Sequence, residues 1–440
     1  MSNPFLSIDK EILADSGTSG AVEENLLCLC DEIGSRFAGT AAYRRAADYM
    51  LGRFHAYKLD NARLEPFDFT AWRRGDPAQL TTEPESEAEV KAFECYELPY
   101  SASSGRDGIA AELVDIGGGS PEEIEGKRAM IPGRMVLTTS AAGHRKDTYA
   151  RCVELGATAF ILHSNRKGMI LSTGSVTDAE QGAMPAIGTT YECGLQIQRL
   201  IANNKHRQFR LVTQGTLEPA TTWNVVGELT GTEFPDELVI IGGHLDSHDI
   251  GPGAFDNAAG AVLVMETARL LAKQRKNLRR TVRFIGFAAE EIGLLGSHHH
   301  AEKHAAELQK ARFMLNCDTP ALGRPHGLGF HKCPKADDYL KKIAAQMQTP
   351  LICQNRAHCH SDHYPFILQG LPTAGVAGGR FGPGIEQFVH MAADTPDKIS
   401  LTDLRDAAAF AARFLVRAAN DDQWPDMRRS EEEINDWCSK

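Results

Sequence analysis

From residue 222 to residue 420 the chain alternates short, almost wholly apolar runs with longer segments of helical period. The runs WNVVGEL, DELVIIGG, TVRFIGF, ARFMLN and PTAGVA read as strands. The segments NAAGAVLVMETARLLAKQ, SHHHAEKHAAELQKA, PKADDYLKKIAAQM and LTDLRDAAAFAARFLVRAA read as helices. A strand without polar alternation is buried on both faces, and helices between such strands supply the covering. The expected fold is therefore α/β, a mostly parallel central sheet with helices on both faces.

In an open sheet of this kind, functional residues gather beyond the carboxyl ends of the strands. Metal-type residues stand at four such ends. DELVIIGG leads into His244 and Asp246, TVRFIGF into Glu290 and Glu291, and ARFMLN into Asp318. The loop after PTAGVA carries His390, and Asp256 lies in GPGAFDNAAG before a long helix. Imidazole and carboxylate together suit Zn²⁺, and the same donors accept Co²⁺ or Mn²⁺. Two ions roughly 3.5–4 Å apart need a carboxylate that bridges them. Asp256 fits that place, because its glycine-rich surroundings let the backbone pass close to both ions. His244 and Asp318 are then assigned to one ion, Glu291 and His390 to the other. Glu290 is left to act as general base toward water. Asp246, two residues beyond His244, is expected to orient its imidazole.

The remainder organises around this segment. TAAYRRAADYMLGRFHAY reads as a helix and NARLEPFDF as a strand, while residues 71–107 read as irregular. Residues 108–215 form a compact strand and helix pattern of their own, without a metal-type cluster. The expected units are 1–75 with 216–425 as the metal-bearing domain, 76–215 as an inserted domain with linker, and 426–440 as an exposed tail. His298, His299, His300 and His304 follow the helix-start signal Gly296-Ser297 and are expected on a solvated helix face. His360 and His363 flank Ser361-Asp362 as pocket-wall candidates. Arg324 and Arg380 are the basic candidates for a substrate carboxylate.

A net charge of −11 over 440 residues argues against a nucleic-acid partner. No apolar run approaches the roughly 20 residues of a membrane-spanning helix. MSNPFLSIDKEILADSG lacks a basic then apolar leader, so a cytoplasmic location is expected. The 10 cysteines are scattered without a paired CxxC set, which argues against a disulfide scaffold or a thiolate zinc site. Cys28 and Cys30 are expected as buried packing residues. Oligomeric state is left open.

At GGHLDS, GAFDNAAG, AAEEIGLLGS, NCDT, SDHYPF and HMAADTPDKI the chain resembles the M28 family of co-catalytic zinc peptidases, in the family's order. The resemblance implies two zinc ions on His244, Asp256, Glu291, Asp318 and His390, with Glu290 as base and Asp246 supporting His244. It implies a short peptide as substrate, first as an aminopeptidase, with a carboxypeptidase or dipeptidase as the alternative. A single-zinc glutaminyl cyclase-like transferase and a non-catalytic receptor ectodomain are further members of the same scaffold. It implies a cis peptide bond after Asp256. Residues 108–215 resemble a protease-associated (PA) domain through RMVLTT, ELGATAFILH and MPAIGTT. CQNRAHCHSDHYPF resembles a segment where some members carry a disulfide loop, here Cys353 with Cys359. His358 falls where those members have a transition-state-binding Tyr. His358, His363 and Arg380 are thus the expected substrate-binding residues.

Overall fold

The computed structural model describes residues 3–83, 90–139, 141–203, 207–320, 323–331, 333, 336–349, 352–356, 359–379 and 385–438. Two eight-stranded sheets organise them. The first runs in the order 60–73, 216–229, 280–287, 234–244, 313–316, 373–378, 326–331, 352–356. The central strands Arg280–Phe287, Phe234–His244, Phe313–Asn316 and Thr373–Gly378 are mutually parallel. The outer pairings 60–73 with 216–229, 216–229 with 280–287, and 326–331 with 373–378 are antiparallel, so the sheet is mixed with a parallel centre. The strands His326–His331 and Ile352–Arg356 add an edge that the glycine-rich HGLGFH does not signal.

Alternation along the central strands sorts side chains between two covered faces. Val239, Ile241, Val282, Phe284 and Leu315 share a core with helices Ala41–Ala56, Ala259–Ala272 and Leu401–Asn420. Leu238, Ile240, Ile285, Phe287 and Met314 point the other way, against Ala301, Leu308 and Phe366. Each such side chain contributes about 1.5–3 kcal/mol by leaving water, which is why these short runs must lie in the middle.

The chain leaves this sheet at Arg73 and returns at Thr216, and those two residues face each other in register. Between them lies the second sheet, ordered 92–93, 79–82, 208–212, 109–115, 135–138, 159–163, 186–189, 95–97. Residues 71–107 are thus more regular than expected: one strand runs on to Arg73 and three short strands join the edges of the second sheet. The charged stretch after residue 421 is not a free tail. Trp424 packs on Tyr339 at 4.9 Å and on Phe313 at 5.7 Å, Met427 is buried, and Glu431–Cys438 is helical. Among the described residues no helix is long and apolar enough to cross a membrane.

The histidine run also departs from expectation. His300 is wholly buried, with Nδ1 2.8 Å from Glu65 Oε1, and His304 Nε2 meets Glu65 Oε2 at 2.7 Å. Strand Asp60–Arg73 carries Glu65 beneath helix Leu295–Lys303 and turns this helix face inward. The bond to Glu65 raises the pKa of His304 above its ordinary 6.5, with Glu307 adding to it. Burial works to raise Glu307, but His304 and Arg283 outweigh it and push it down to about 2. The His304 contribution to stability is complete below pH 6.5 and fades as pH rises through its raised folded value. The Glu307 contribution is complete above 4.5 and fades as pH falls toward 2. His304→Gln is therefore expected to cost most stability between pH 4.5 and 6.5 and less at alkaline pH. Denaturant unfolding across that range checks this; a cost independent of pH would contradict it.

Candidate metal centre

Three turns after central strands, all containing left-handed backbone, deliver the acidic and imidazole groups. Strand Arg280–Phe287 is followed by Ala288 and by Ala289 at φ 59°, which throws Glu290 and Glu291 in different directions. Strand Phe313–Asn316 leads to Asp318, with Thr319 at φ 48°. His390 itself sits at φ 58°. Non-glycine residues seldom adopt this region, and those that do cluster at functional sites. His244 ends strand Phe234–His244, and Asp256 lies in the turn that enters helix Ala259–Ala272. The peptide bond between Asp256 and Asn257 is cis, as the resemblance implies.

These residues converge. Asp256 Oδ1 is 3.2 Å from His244 Nε2, and Asp256 Oδ2 is 3.3 Å from His390 Nε2. His244 Nε2 lies 3.7 Å from Asp318 Oδ1, and His390 Nε2 lies 3.2 Å from Glu291 Oε2. One carboxylate thus faces two separate imidazoles, each with a further carboxylate beside it. Donors bound to one ion at about 2.0–2.2 Å with a tetrahedral angle stand roughly 3.4 Å apart. The spacing here matches that figure and exceeds a good imidazole–carboxylate hydrogen bond. His244 Nε2 and Glu291 Oε1 are buried without a hydrogen-bond partner among the described residues. The donor set therefore fits metal ions. The Glu65, His300 and His304 group does not: its contacts of 2.7–2.8 Å are ordinary hydrogen bonds with no room for an ion between them.

Charge points the same way. Burial lowers the affinity of His390 for a proton, yet Glu291 and Asp256 outweigh it and push its pKa up to about 9. Burial first, then Asp318, Glu291 and Asp362, hold the Glu290 carboxyl well above the usual range, with His244 opposing. Such a crowd of buried carboxylates calls for cations. Glu290 Oε2 is 4.0 Å from His244 Nε2, beside the group but outside its close contacts.

Asp246 is fully buried and works on both sides. Its backbone carbonyl meets His244 Nδ1 at 3.2 Å, nearer than its carboxylate at 3.5 Å. The carboxylate accepts the backbone N–H groups of Glu290 and Glu291. Ser361 donates to Asp318 Oδ2 at 2.6 Å.

Several participants escaped the sequence reading. His248 Nε2 lies 2.8 Å from Glu291 Oε2, which its place four residues after His244 could have suggested. Asn257 donates to the carbonyls of His244 and Cys317 and accepts from Thr319, tying two strand ends together. Asp394 accepts the N–H groups of Phe255 and Asp256. Arg36 is buried and donates to the carbonyls of Leu245, Pro252 and Gly253. No local pattern announces it.

Beside the centre opens a cleft of about 740 Å³ between the two sheets' units, with Glu290, Asp318 and His390 on one wall and Arg145, Lys146 and Asp178 on the other. The Arg145 guanidinium lies over Gly174, where an added Cβ would fall 2.0 Å from Cζ. Its Nε donates to Ser175 O at 2.8 Å. His360 also lines the cleft, stacked on His144 at 5.1 Å. Of the expected substrate-binding residues, His363 does not line it: it is buried with its ring 3.6 Å from His331, because helix His363–Leu368 turns that face inward. Arg324 is ion-paired with Asp406. His358, Arg380 and the Cys353 side chain lie outside the described residues, and Cys359 is an exposed free thiol.

The pattern that defines peptidase family M28 matches residues 224–415. Carboxypeptidase Q of Pongo abelii is 24% identical over 404 residues, spanning 89% of this chain and 83% of that protein. The crystal structure of a peptidase M28 precursor from Shewanella amazonensis superposes with a TM-score of 0.82 at 22% identity, covering 96% of this chain and 99% of that one. BSAP, a zinc aminopeptidase from Bacillus subtilis, superposes with a TM-score of 0.72 at 22% identity, covering 94% and 98%.

Proposed function

We propose that this chain, whose residues 224–415 match the pattern of peptidase family M28, is a zinc peptidase that hydrolyses short peptides at this centre. The observation that carries the reading is the Asp256 carboxylate set between two imidazoles at 3.2 and 3.3 Å. His244 and Asp318 would hold one zinc, Glu291 and His390 the other, with Asp256 shared. Bound zinc supplies Lewis acidity, which polarises a carbonyl and makes water a better acid. Glu290 then takes the proton from the attacking water and passes it to the leaving nitrogen. Asp246 fixes the Glu290 and Glu291 backbone for that division of labour. The second unit, read as a PA domain over 108–215, walls the cleft and limits the substrate to short chains. Two metals per chain with peptidase activity supports this reading; one metal with transferase activity overturns it in favour of a cyclase-like enzyme.

An aminopeptidase is the first reading, since the acidic cleft suits a free α-amine. Arg145 favours a second, a dipeptidase or carboxypeptidase. Once zinc balances the carboxylates, this cation in the cleft wall is left for a substrate carboxylate, which its fork matches. Arg145→Ala is expected to raise KM for peptides with a free C-terminus by roughly tenfold or more, the value of a charged hydrogen bond. C-terminal amides should respond little. Kinetics on free, amidated and N-acetylated dipeptides check this. Equal KM changes for free and amidated substrates would remove Arg145 from the binding site.

A further inference from the structure

Two hydrogen bonds cross from the second unit to the backbone of metal-centre residues, and both reach the same half of it. Thr173 N–H donates to His390 O at 2.9 Å, and Ser175 Oγ donates to Glu291 O at 2.9 Å. Ser172 and Met391 form an isolated β-bridge beside them. Thr173 and Ser175 are both buried, at 2% and 0% exposure, so neither bond is shared with bulk water. The groups of the other half are braced from within the first sheet's unit. Asn257 ties His244 O to Cys317 O, and Ser361 holds Asp318.

We infer that Thr173 and Ser175 are positioning residues for the Glu291 and His390 half of the centre, so that the inserted unit helps to build one of the two ion sites and not the other. The inference rests on the two-zinc reading above. His390 holds a left-handed backbone, uncommon for a residue with a side chain, and such a conformation persists only where its surroundings enforce it. The Thr173 N–H fixes the direction of the His390 carbonyl, and through that peptide plane the direction of the imidazole. Ser175 does the same for Glu291, whose side chain His248 also holds at 2.8 Å. Groups that orient metal ligands change affinity by roughly 10–100-fold when removed. Losing the Ser175 hydroxyl therefore weakens one ion and leaves its neighbour as it was.

The test titrates Zn²⁺ into chelator-stripped full-length protein, for wild type, Ser175→Ala, Ser175→Thr and Glu291→Ala, with thermal unfolding as a check on the fold. The expected result is two ions in wild type and, in Ser175→Ala, roughly tenfold weaker binding at the one site that Glu291→Ala removes. Ser175→Thr keeps a hydroxyl and should return affinity toward wild type. Unchanged binding in Ser175→Ala, or equal weakening of both sites, overturns the inference while leaving the two-zinc reading intact. Fewer than two ions in wild type overturns that reading itself, and the inference with it.

Discussion

Glu290→Gln is expected to lower turnover by roughly 10³-fold or more, within or above the usual range for removing a general base, while metal content stays at the wild-type level. The substitution keeps shape and removes only the ability to take a proton. The Glu290 carboxylate stands 4.0 Å from His244 Nε2, farther than any of the four contacts on which the proposed ion sites rest. Its backbone is fixed through Asp246, which a glutamine would leave undisturbed. Burial among Asp318, Glu291 and Asp362 holds its carboxyl well above the usual range, which suits a group that accepts a proton from water and returns it to an amine. Glu291, one residue on, should behave in the opposite way. His390 and His248 lie on its carboxylate at 3.2 and 2.8 Å, so Glu291→Gln should reduce metal content as well as rate. Metal analysis beside steady-state kinetics separates the two. A Glu290→Gln enzyme that turns over at the wild-type rate would end the assignment.

What could be read in the sequence follows from how local each signal is. The central strands announce themselves because nearly every residue of TVRFIGF is apolar or small, as burial between two helical layers requires; the exception, Arg283, is buried by pairing with Glu228 and Glu307. The residues brought together at the candidate metal centre were legible for a related reason. Most of them stand just beyond the ends of those strands, where a histidine or carboxylate has no packing explanation. Helix Leu6–Thr18 went unread because its buried side includes Asp9, an unpromising core residue until Arg413 and Arg417 are seen to close on it at 3.1 and 2.8 Å. Glu65 and His300 share that problem: each looks solvated alone, and only the pairing of distant elements makes burial tolerable. His363 is expected at the pocket wall from its nearness to Ser361 along the chain, yet the bend into helix His363–Leu368 carries it to the buried side. Arg145 and Ser175 belong to another folding unit altogether, and nothing in their neighbourhoods refers to the groups they meet.

Asp256→Asn should separate stability from loading in a way that no other substitution at the centre does. Asp256 is buried; burial and Glu291 work to raise its carboxyl, but His244 and His390 outweigh them and hold it below its ordinary 3.8. The ionised carboxylate therefore supports the metal-free fold above that ordinary value, and the neutral amide should leave the stripped protein somewhat less stable than wild type. With zinc present the gap widens. Wild type gains RT ln(1 + [Zn]/Kd), about 4 kcal/mol at a thousandfold excess over Kd, because ions that bind only the folded chain draw it toward folding. The asparagine removes the one carboxylate that faces both imidazoles, so most of that gain should vanish together with activity. Thermal unfolding of both proteins, with chelator and with zinc, gives four numbers that check the claim. If zinc raised the melting temperature of Asp256→Asn as much as that of wild type, Asp256 would not be the shared ligand, and the two halves of the centre would have to bind their ions independently.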